Sequence, residues 1–528
     1  MSQPEQAARL AQALWRRLWR KLWRRLALWP ARRRLRRDPL FDPVWYLAAY
    51  PDLAASPSGS RRGAVDPAWH YLTHGAAEGR DPGPGFSTSG YRLQGGAADG
   101  ANPLLDFRAY GRAQGLSALP VLPGCLQLAP GAPVVLFCAH QALGQQFGAE
   151  RSFLVMLERA AAAGIAPEVV VPQIIDPLYL EALAARALRV RVIPWPWRQG
   201  TRPPHPTTVA ALVAAIRAAG AVEVHQNTLV IDAPLAAARA AGVPVTVHLR
   251  ELPAEDPALS ARLGLTPEAL RAALWREADR FVANSPQTAA WIDPEGLMAD
   301  RVTILPNSAD PALAALPFAP ADPPRVGLIG SLVAKKGVAD MVALARAFAA
   351  MGGRADFVLI GPATADLAAL GPLPPNLRHA GYAPSPVAAL AQVDVVVSLS
   401  HFAESFGRTL LEAMTAGRPV IAYDRGAPPG LIGTGGAGLV VPPDDPAAVA
   451  AALGRLLSDP AALQAAAQAA RARAALIAAT AAEVPAARLY PVALGRPAPA
   501  APAAVSPPGV APGVAPGAVV AFPPRNGI

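Results

Sequence analysis

The chain has 528 residues, 52% of them hydrophobic, which makes it longer than one typical domain and too apolar to be mostly disordered. No uninterrupted apolar run reaches the roughly 18 residues of a membrane-spanning helix. Two cysteines, Cys125 and Cys138, in no metal-ligand spacing, argue against structural zinc or a disulfide framework and fit a reducing compartment. The net charge of +10 is local: residues 1–38 hold twelve Arg/Lys and two acids, leaving 36 basic and 36 acidic residues elsewhere. A neutral body removes the main support for a nucleic-acid partner, and none is expected.

Leu14, Trp15, Leu18, Trp19, Leu22, Trp23 and Leu26 recur at helical spacing, with Arg16, Arg17, Arg20, Lys21 and Arg24 in the gaps. At about 100° per residue the apolar and basic sets each take roughly half the circumference. The pattern predicts a basic amphipathic helix in segment 1–38 that lies on an anionic membrane surface through residues 9–37, tryptophans at headgroup level. A helix packed on the protein's own body and an organellar transit peptide are the other readings. The absence of a roughly 7-residue apolar core argues against a cleavable secretory signal.

Residues 39–118 contain an imperfect duplication. Phe41-Asp42-Pro43-Val44-Trp45-Tyr46 leads to Asp66-Pro67-Ala68-Trp69-His70-Tyr71 and Gly75, and Phe86-Ser87-Thr88-Ser89-Gly90-Tyr91 leads to Asn102-Pro103-Leu104-Leu105-Asp106-Phe107 and Gly111. Each copy predicts a short helical hairpin with aromatics packed inward. His70 and His74 stand at i and i+4, but the second copy has no matching pair, which favours packing over ligation.

From Val134 onward, strands alternate with helices, as in parallel α/β folds. Val134–Ala139, Glu168–Val171, Val190–Ile193, Ala221–His225, Val243–His248 and Arg280–Ala283 read as strands of a first Rossmann-like domain, 131–318. Arg325–Ile329, Phe357–Ile360, Val393–Leu399 and Pro419–Ala422 read as strands of a second, 319–493. The Pro/Ala/Gly-rich tail, 494–528, is expected to be disordered.

In open α/β sheets ligands bind beyond the C-terminal strand ends. After the strand at Val393–Leu399 comes His401-Phe402-Ala403-Glu404-Ser405-Phe406-Gly407-Arg408-Thr409-Leu410-Leu411-Glu412-Ala413-Met414, then Gly417-Arg418-Pro419-Val420. Glu404 falls in a turn and Glu412 inside the helix Thr409–Ala416. At about 1.5 Å per helical residue the carboxylates stand roughly 12 Å apart, beyond the roughly 5–9.5 Å of a hydrolytic pair. That separation suits a clamp on both ends of one ligand, with the backbone amides of Phe406 and Gly407 at the helix N-terminus as an anion site between them. The same position in the second domain's first strand is followed by Gly330-Ser331-Leu332-Val333-Ala334-Lys335-Lys336-Gly337. Of 48 basic residues only Lys21, Lys335 and Lys336 are lysines, and cations at a helix start oppose its dipole unless an anion binds there.

These blocks resemble retaining GT-B glycosyltransferases of the family 4 type, whose signature joins ESFG, EAM and G-x-PV elements. The resemblance spans roughly residues 131–493 and implies two Rossmann-like domains facing across a cleft, acceptor domain first and nucleotide-sugar donor domain second. It implies metal-independent transfer of a sugar from a nucleotide diphosphate-sugar, with retention, to a glycan or lipid-linked acceptor. Glu404, Lys336 and His248 then take catalytic roles, with Glu412 on the ribose and Ser405, Phe406, Gly407, Gly330, Ser331 and Tyr382 around the donor. Ser331 stands where the family has an arginine that grips the diphosphate, and Ser308 replaces a glycine in the Leu305-Pro306-Asn307-Ser308 landmark. Gly144-Gln145-Gln146-Phe147-Gly148-Ala149-Glu150 resembles the family's GGxE loop near the reacting sugar, which brings in Gly148 and Glu150. The aromatic repeats are similar to those beside glycosyltransferase domains in bacterial surface-polysaccharide proteins. The resulting expectation is a cytoplasmic enzyme peripheral at the inner face of the cell membrane. A catalytically weak membrane-surface assembly protein on the same scaffold is the alternative.

Overall fold

A computed structural model of the protein describes residues 28–53, 65–98, 100–140 and 148–495. The expected interfacial helix up to residue 27, residues 144–147 of the glycine loop and the tail from 496 onward lie outside the described residues. Among the described residues no helix is long and apolar enough to cross a membrane.

Two α/β domains carry the body, and in both the buried apolar runs form the central strands. The first sheet comprises β1 (Val121–Pro123), β2 (Val134–Cys138), β3 (Ala166–Val171), β4 (Arg189–Val192), β5 (Glu223–Gln226), β6 (Val245–Leu249), β7 (Arg280–Ala283) and β8 (Val302–Ile304). Their order is β1-β4-β3-β2-β5-β6-β7-β8, with β1 antiparallel to β4 and the other pairs parallel. Successive side chains point to opposite faces, so Val135 and Phe137 join one core layer while Leu136 and Cys138 join the other.

The second sheet is fully parallel, in the order β11-β10-β9-β12-β13-β14. Its strands are β9 (Arg325–Ile329), β10 (Asp356–Ile360), β11 (Leu377–Gly381), β12 (Val395–Ser398), β13 (Val420–Tyr423) and β14 (Gly438–Val441). The order reverses between β9 and β12, so the loops leaving these two neighbours open a crevice at their C-terminal ends. Three helices matter for the site: α1 (Gly148–Ala162), α2 (Arg408–Thr415) and α3 (Pro460–Glu483). α3 starts on the second domain, where Leu463 and Ile477 are buried, and the chain beyond it returns to the first, where Leu489 and Tyr490 enter the core around Phe137. The segment ending at 493 therefore packs with the first domain, although its place in the sequence joined it to the second.

The described residues among 28–118 meet the first domain through Gly79 and Ser89: Gln173 Nε2 donates to Gly79 O at 2.8 Å and the Ile174 amide to Ser89 Oγ at 3.2 Å. Asp42, Asp66, Ser87 and Asn102 each cap a short helix. In both units a tyrosine crosses a glycine, and a Cβ at Gly75 or Gly111 would lie 2.0 or 2.2 Å from the hydroxyl of Tyr46 or Tyr91. His70 accepts or donates with Tyr46 at 2.9 Å and stacks on His74. Two arginines of the segment expected to meet lipid, Arg32 and Arg36, are both ion-paired with Asp66.

Candidate functional site

The loops after β9 and β12 lock together. The His401 amide donates to Lys335 O at 2.9 Å, and Gly337 has a φ of 77° with space for no side chain, a Cβ there falling 2.0 Å from Leu399 O. This close approach sets Lys336 Nζ 2.8 Å from Glu404 Oε1, which also accepts the Ser400 hydroxyl. Burial pushes the Glu404 carboxyl up, but the Lys336 charge and the hydrogen bonds from Lys336 and Ser400 outweigh it and hold the carboxyl below its ordinary value. Glu404 is thus a carboxylate with its charge locally balanced.

Glu404, Lys336, Gly330, Ser331 and Thr409 line a cavity of about 370 Å³. An adjoining cavity of about 500 Å³ shares Ile329, Gly330, Arg151 and Thr409 with it and extends to Glu412 and Tyr382. Together they make one trough with a carboxylate toward each end. Arg151, from α1 of the first domain, and Arg408, at the start of α2, also line it. Glu412 Oε1 accepts from Arg151 Nη1 at 2.9 Å and from Arg408 Nε at 3.0 Å, and Arg408 Nη1 reaches Ser152 Oγ at 2.8 Å. Both guanidiniums and Ser331 line the same cavity.

Several residues assigned from the sequence lie elsewhere. α2 begins at Arg408 after Gly407, whose φ of 91° turns the chain, so the first helical amides are those of Arg408 and Thr409, both on the trough wall. Gly407 shapes the turn rather than the wall, and Phe406 is buried under α2 with Leu410 and Leu431. Ser405 faces the first domain, donating to Arg250 O at 2.6 Å and accepting from Asn284 Nδ2 at 3.2 Å. On either side of Glu404, Ala403 joins the first-domain core and Ser405 makes these bonds to that domain. Gly148 borders the trough, while Glu150 is buried beside His140, 3.3 Å away.

His248, at the end of β6, lines a neighbouring cavity with Ser152, Arg250, Asn284, Asn307 and Arg408. Arg408 belongs to both cavity walls. Burial, with the Arg250 charge, pulls the His248 imidazole well below its ordinary value, so it is neutral. Burial also brings Arg250 down to about 10, against the pull of Glu251.

Both halves of the body match known families: residues 147–308 a glycosyl transferase 4-like domain, and residues 323–459 glycosyl transferases group 1. HepE from Anabaena, solved in complex with UDP and glucose, aligns with a TM-score of 0.52 at 20% identity over 67% of this chain and 98% of its own. The body has the GT-B glycosyltransferase fold. Sucrose-phosphate synthase from Thermosynechococcus elongatus aligns with a TM-score of 0.51 at 20% identity, over 69% of this chain and 99% of its own. A D-inositol 3-phosphate glycosyltransferase of Nocardia farcinica is 34% identical over 207 residues, 35% of this chain and 46% of the relative. The chain thus spans about half the length of that curated relative.

Outside the trough, Asp340, His401 and Asp444 bring three ligand-type side chains together. Protein donors already serve them: Tyr423 bonds Asp340 at 2.6 Å, Arg425 bonds Asp444 at 2.6 Å, and the His401 ring bridges the two carboxylates. Arg425 beside Asp444 opposes a cation there. Sequence reasoning missed Arg151, Arg408 and Ser400, although all three adjoin or interrupt the motifs it singled out.

Proposed function

We propose that the GT-B body transfers a sugar from a nucleotide diphosphate-sugar to a glycan or lipid-linked acceptor, with retention, in building bacterial cell-surface polysaccharide. The observation that carries this reading is the trough itself, with Glu404 and Lys336 toward one end and Glu412 and Tyr382 toward the other. A ligand with hydroxyls at both ends and two negative charges between them matches that order. Glu404 holds donor-sugar hydroxyls, Glu412 the ribose, and Tyr382 lies toward the base. The diphosphate takes the middle, against Lys336, Arg151, Arg408 and the first amides of α2.

As the bond to the anomeric carbon breaks, charge grows on the departing diphosphate. Those cations and the helix dipole are already oriented to meet it, with no metal ion required in the reaction as proposed. Glu404 Oε1 is engaged by Lys336 and Ser400, which makes the carboxylate a holder of hydroxyls rather than a covalent nucleophile. The acceptor hydroxyl therefore attacks from the face that the diphosphate leaves and passes its proton to the leaving phosphate. The names of the relatives, which include a D-inositol 3-phosphate glycosyltransferase, and the UDP and glucose of HepE support the reaction class. Incubating the purified protein with a panel of nucleotide sugars and measuring nucleotide release tests it: slow release from at least one donor is expected, and a protein that neither binds nor hydrolyses any of them is not a transferase.

The proposed location is the inner face of the cell membrane, through residues 9–37. Removing residues 1–27 leaves the Arg32 and Arg36 pairs with Asp66 in place and should abolish co-sedimentation with anionic vesicles. Undiminished binding would refute the attachment.

A further inference from the structure

Behind the cleft, three buried side chains form a line of which the donor reading uses only His248. Glu223 and His225 stand two residues apart on β5 and so share a face of the sheet. Glu223 Oε2 lies 3.3 Å from His225 Nε2, and His225 Nδ1 lies 3.1 Å from His248 Nε2. Their exposures are 2%, 0% and 3%. Glu223 Oε1 accepts the Ala493 amide at 2.7 Å, delivered by the chain segment that returns from the second domain. Phe137 and Tyr490 pack on the His225 ring at 5.2 and 5.0 Å.

Each bond in such a line needs one donor and one acceptor, so its protons have a direction. With Glu223 as the acceptor at one end and a single proton on His225, that proton sits on Nε2 and Nδ1 offers a lone pair, which obliges His248 to donate from Nε2. We propose that Glu223 and His225 are positioning residues that hold His248 in its Nε2–H tautomer and present its Nδ1 to the cleft cavity as a hydrogen-bond acceptor for a substrate hydroxyl. Arg250 and Arg408, which only donate, line that cavity with His248, and the side-chain oxygens of Asn284 and Asn307 there already accept from Thr288 and Arg250. A hydroxyl bound there needs one acceptor to receive its own proton, and His248 supplies it. The identity of the hydroxyl rests on the transferase reading; the tautomer does not.

Nitrogen-15 labelling of the histidines, with His248→Asn to assign the signals, tests the relay in the full chain. The wild-type protein should show His248 with an unprotonated, pyridine-like Nδ1 and a pyrrole-like Nε2. In Glu223→Gln the Ala493 amide keeps its acceptor by binding the new carbonyl oxygen, which turns the NH₂ toward His225 Nε2 and reverses every proton in the line. His248 should then carry its proton on Nδ1, and kcat/KM should fall roughly 10- to 100-fold, as two donors meet across one buried contact. A wild-type His248 protonated on Nδ1, or a tautomer unchanged in Glu223→Gln, overturns the proposal. If Glu223→Gln does not fold, the wild-type spectrum alone decides. An Nδ1 lone pair in a protein that binds no nucleotide sugar would sink the transferase reading and leave the relay standing.

Discussion

The two ends of the trough are built on different principles. At the Glu404 end, carboxylate, lysine and serine all come from the second domain, from the loops after β9 and β12. At the Glu412 end, the carboxylate is on the second domain, but one of its two guanidiniums, Arg151, reaches in from the first, 261 residues away in the chain. The first ion pair lies within one domain, although Ser405 beside it is bonded to the other; at the second end Arg408 stays with Glu412 and Arg151 is the contact that crosses. Charge balance at one carboxylate is therefore set inside a domain, and at the other it depends in part on how the domains meet.

The sharpest break of this contrast is Glu404→Ala. It should lower kcat by at least about 100-fold, the scale on which a polar group aimed at the reacting centre acts, while the circular dichroism spectrum stays that of the wild type. A fully active variant would overturn the assignment.

Lys336→Met comes next and carries a sign that can be checked. With the ammonium gone, burial acts on Glu404 with only Ser400 and the lesser pull of Lys335 opposing it, so the carboxyl rises and the acid limb of the kcat/KM profile should move to higher pH. In the wild type the depressed carboxyl contributes stability that is fully present above its ordinary value of 4.5 and lost as pH falls through the lower folded value. The gap in Tm between wild type and variant should therefore be widest above pH 4.5 and close below it. An unmoved acid limb would show that Lys336 does not set the charge of Glu404.

The smallest effect is expected from Arg151→Met. Glu412 keeps Arg408, and a partly exposed ion pair is worth up to about 1 kcal/mol. Donor KM should rise about fivefold with kcat nearly unchanged, as measured by initial rates. A loss of kcat on the scale of Glu404→Ala would mean that the two ends do not work separately.

What was legible in the sequence followed burial and adjacency. The ten strands read from apolar runs are the interior ones, and the four that were not, β1, β8, β11 and β14, are the edges of the two sheets. An edge strand has a neighbour on one side only and need not be apolar throughout: β11 is Leu-Arg-His-Ala-Gly and β1 contains a proline. The site divides the same way. Glu404, Lys336, Gly330 and Glu412 stand right after or close to strand ends that periodicity locates. Ser405, Phe406 and Gly407, assigned to the donor with them, are taken up otherwise: Ser405 by Arg250 and Asn284 of the first domain, Phe406 by the core under α2, and Gly407 by the left-handed turn.

The sequence by itself determined the two Rossmann-like domains, the crevice between the loops after β9 and β12 and the chemical types at both ends of it, because strand ends and helix starts are local properties. Only the tertiary structure decided which charges meet there. Arg151 completes the Glu412 end across the domains, and Ala493 orders the Glu223 to His248 line from the far end of the chain. Hydrogen bonds between groups hundreds of residues apart depend on the folded path of the backbone, and no local pattern records that path.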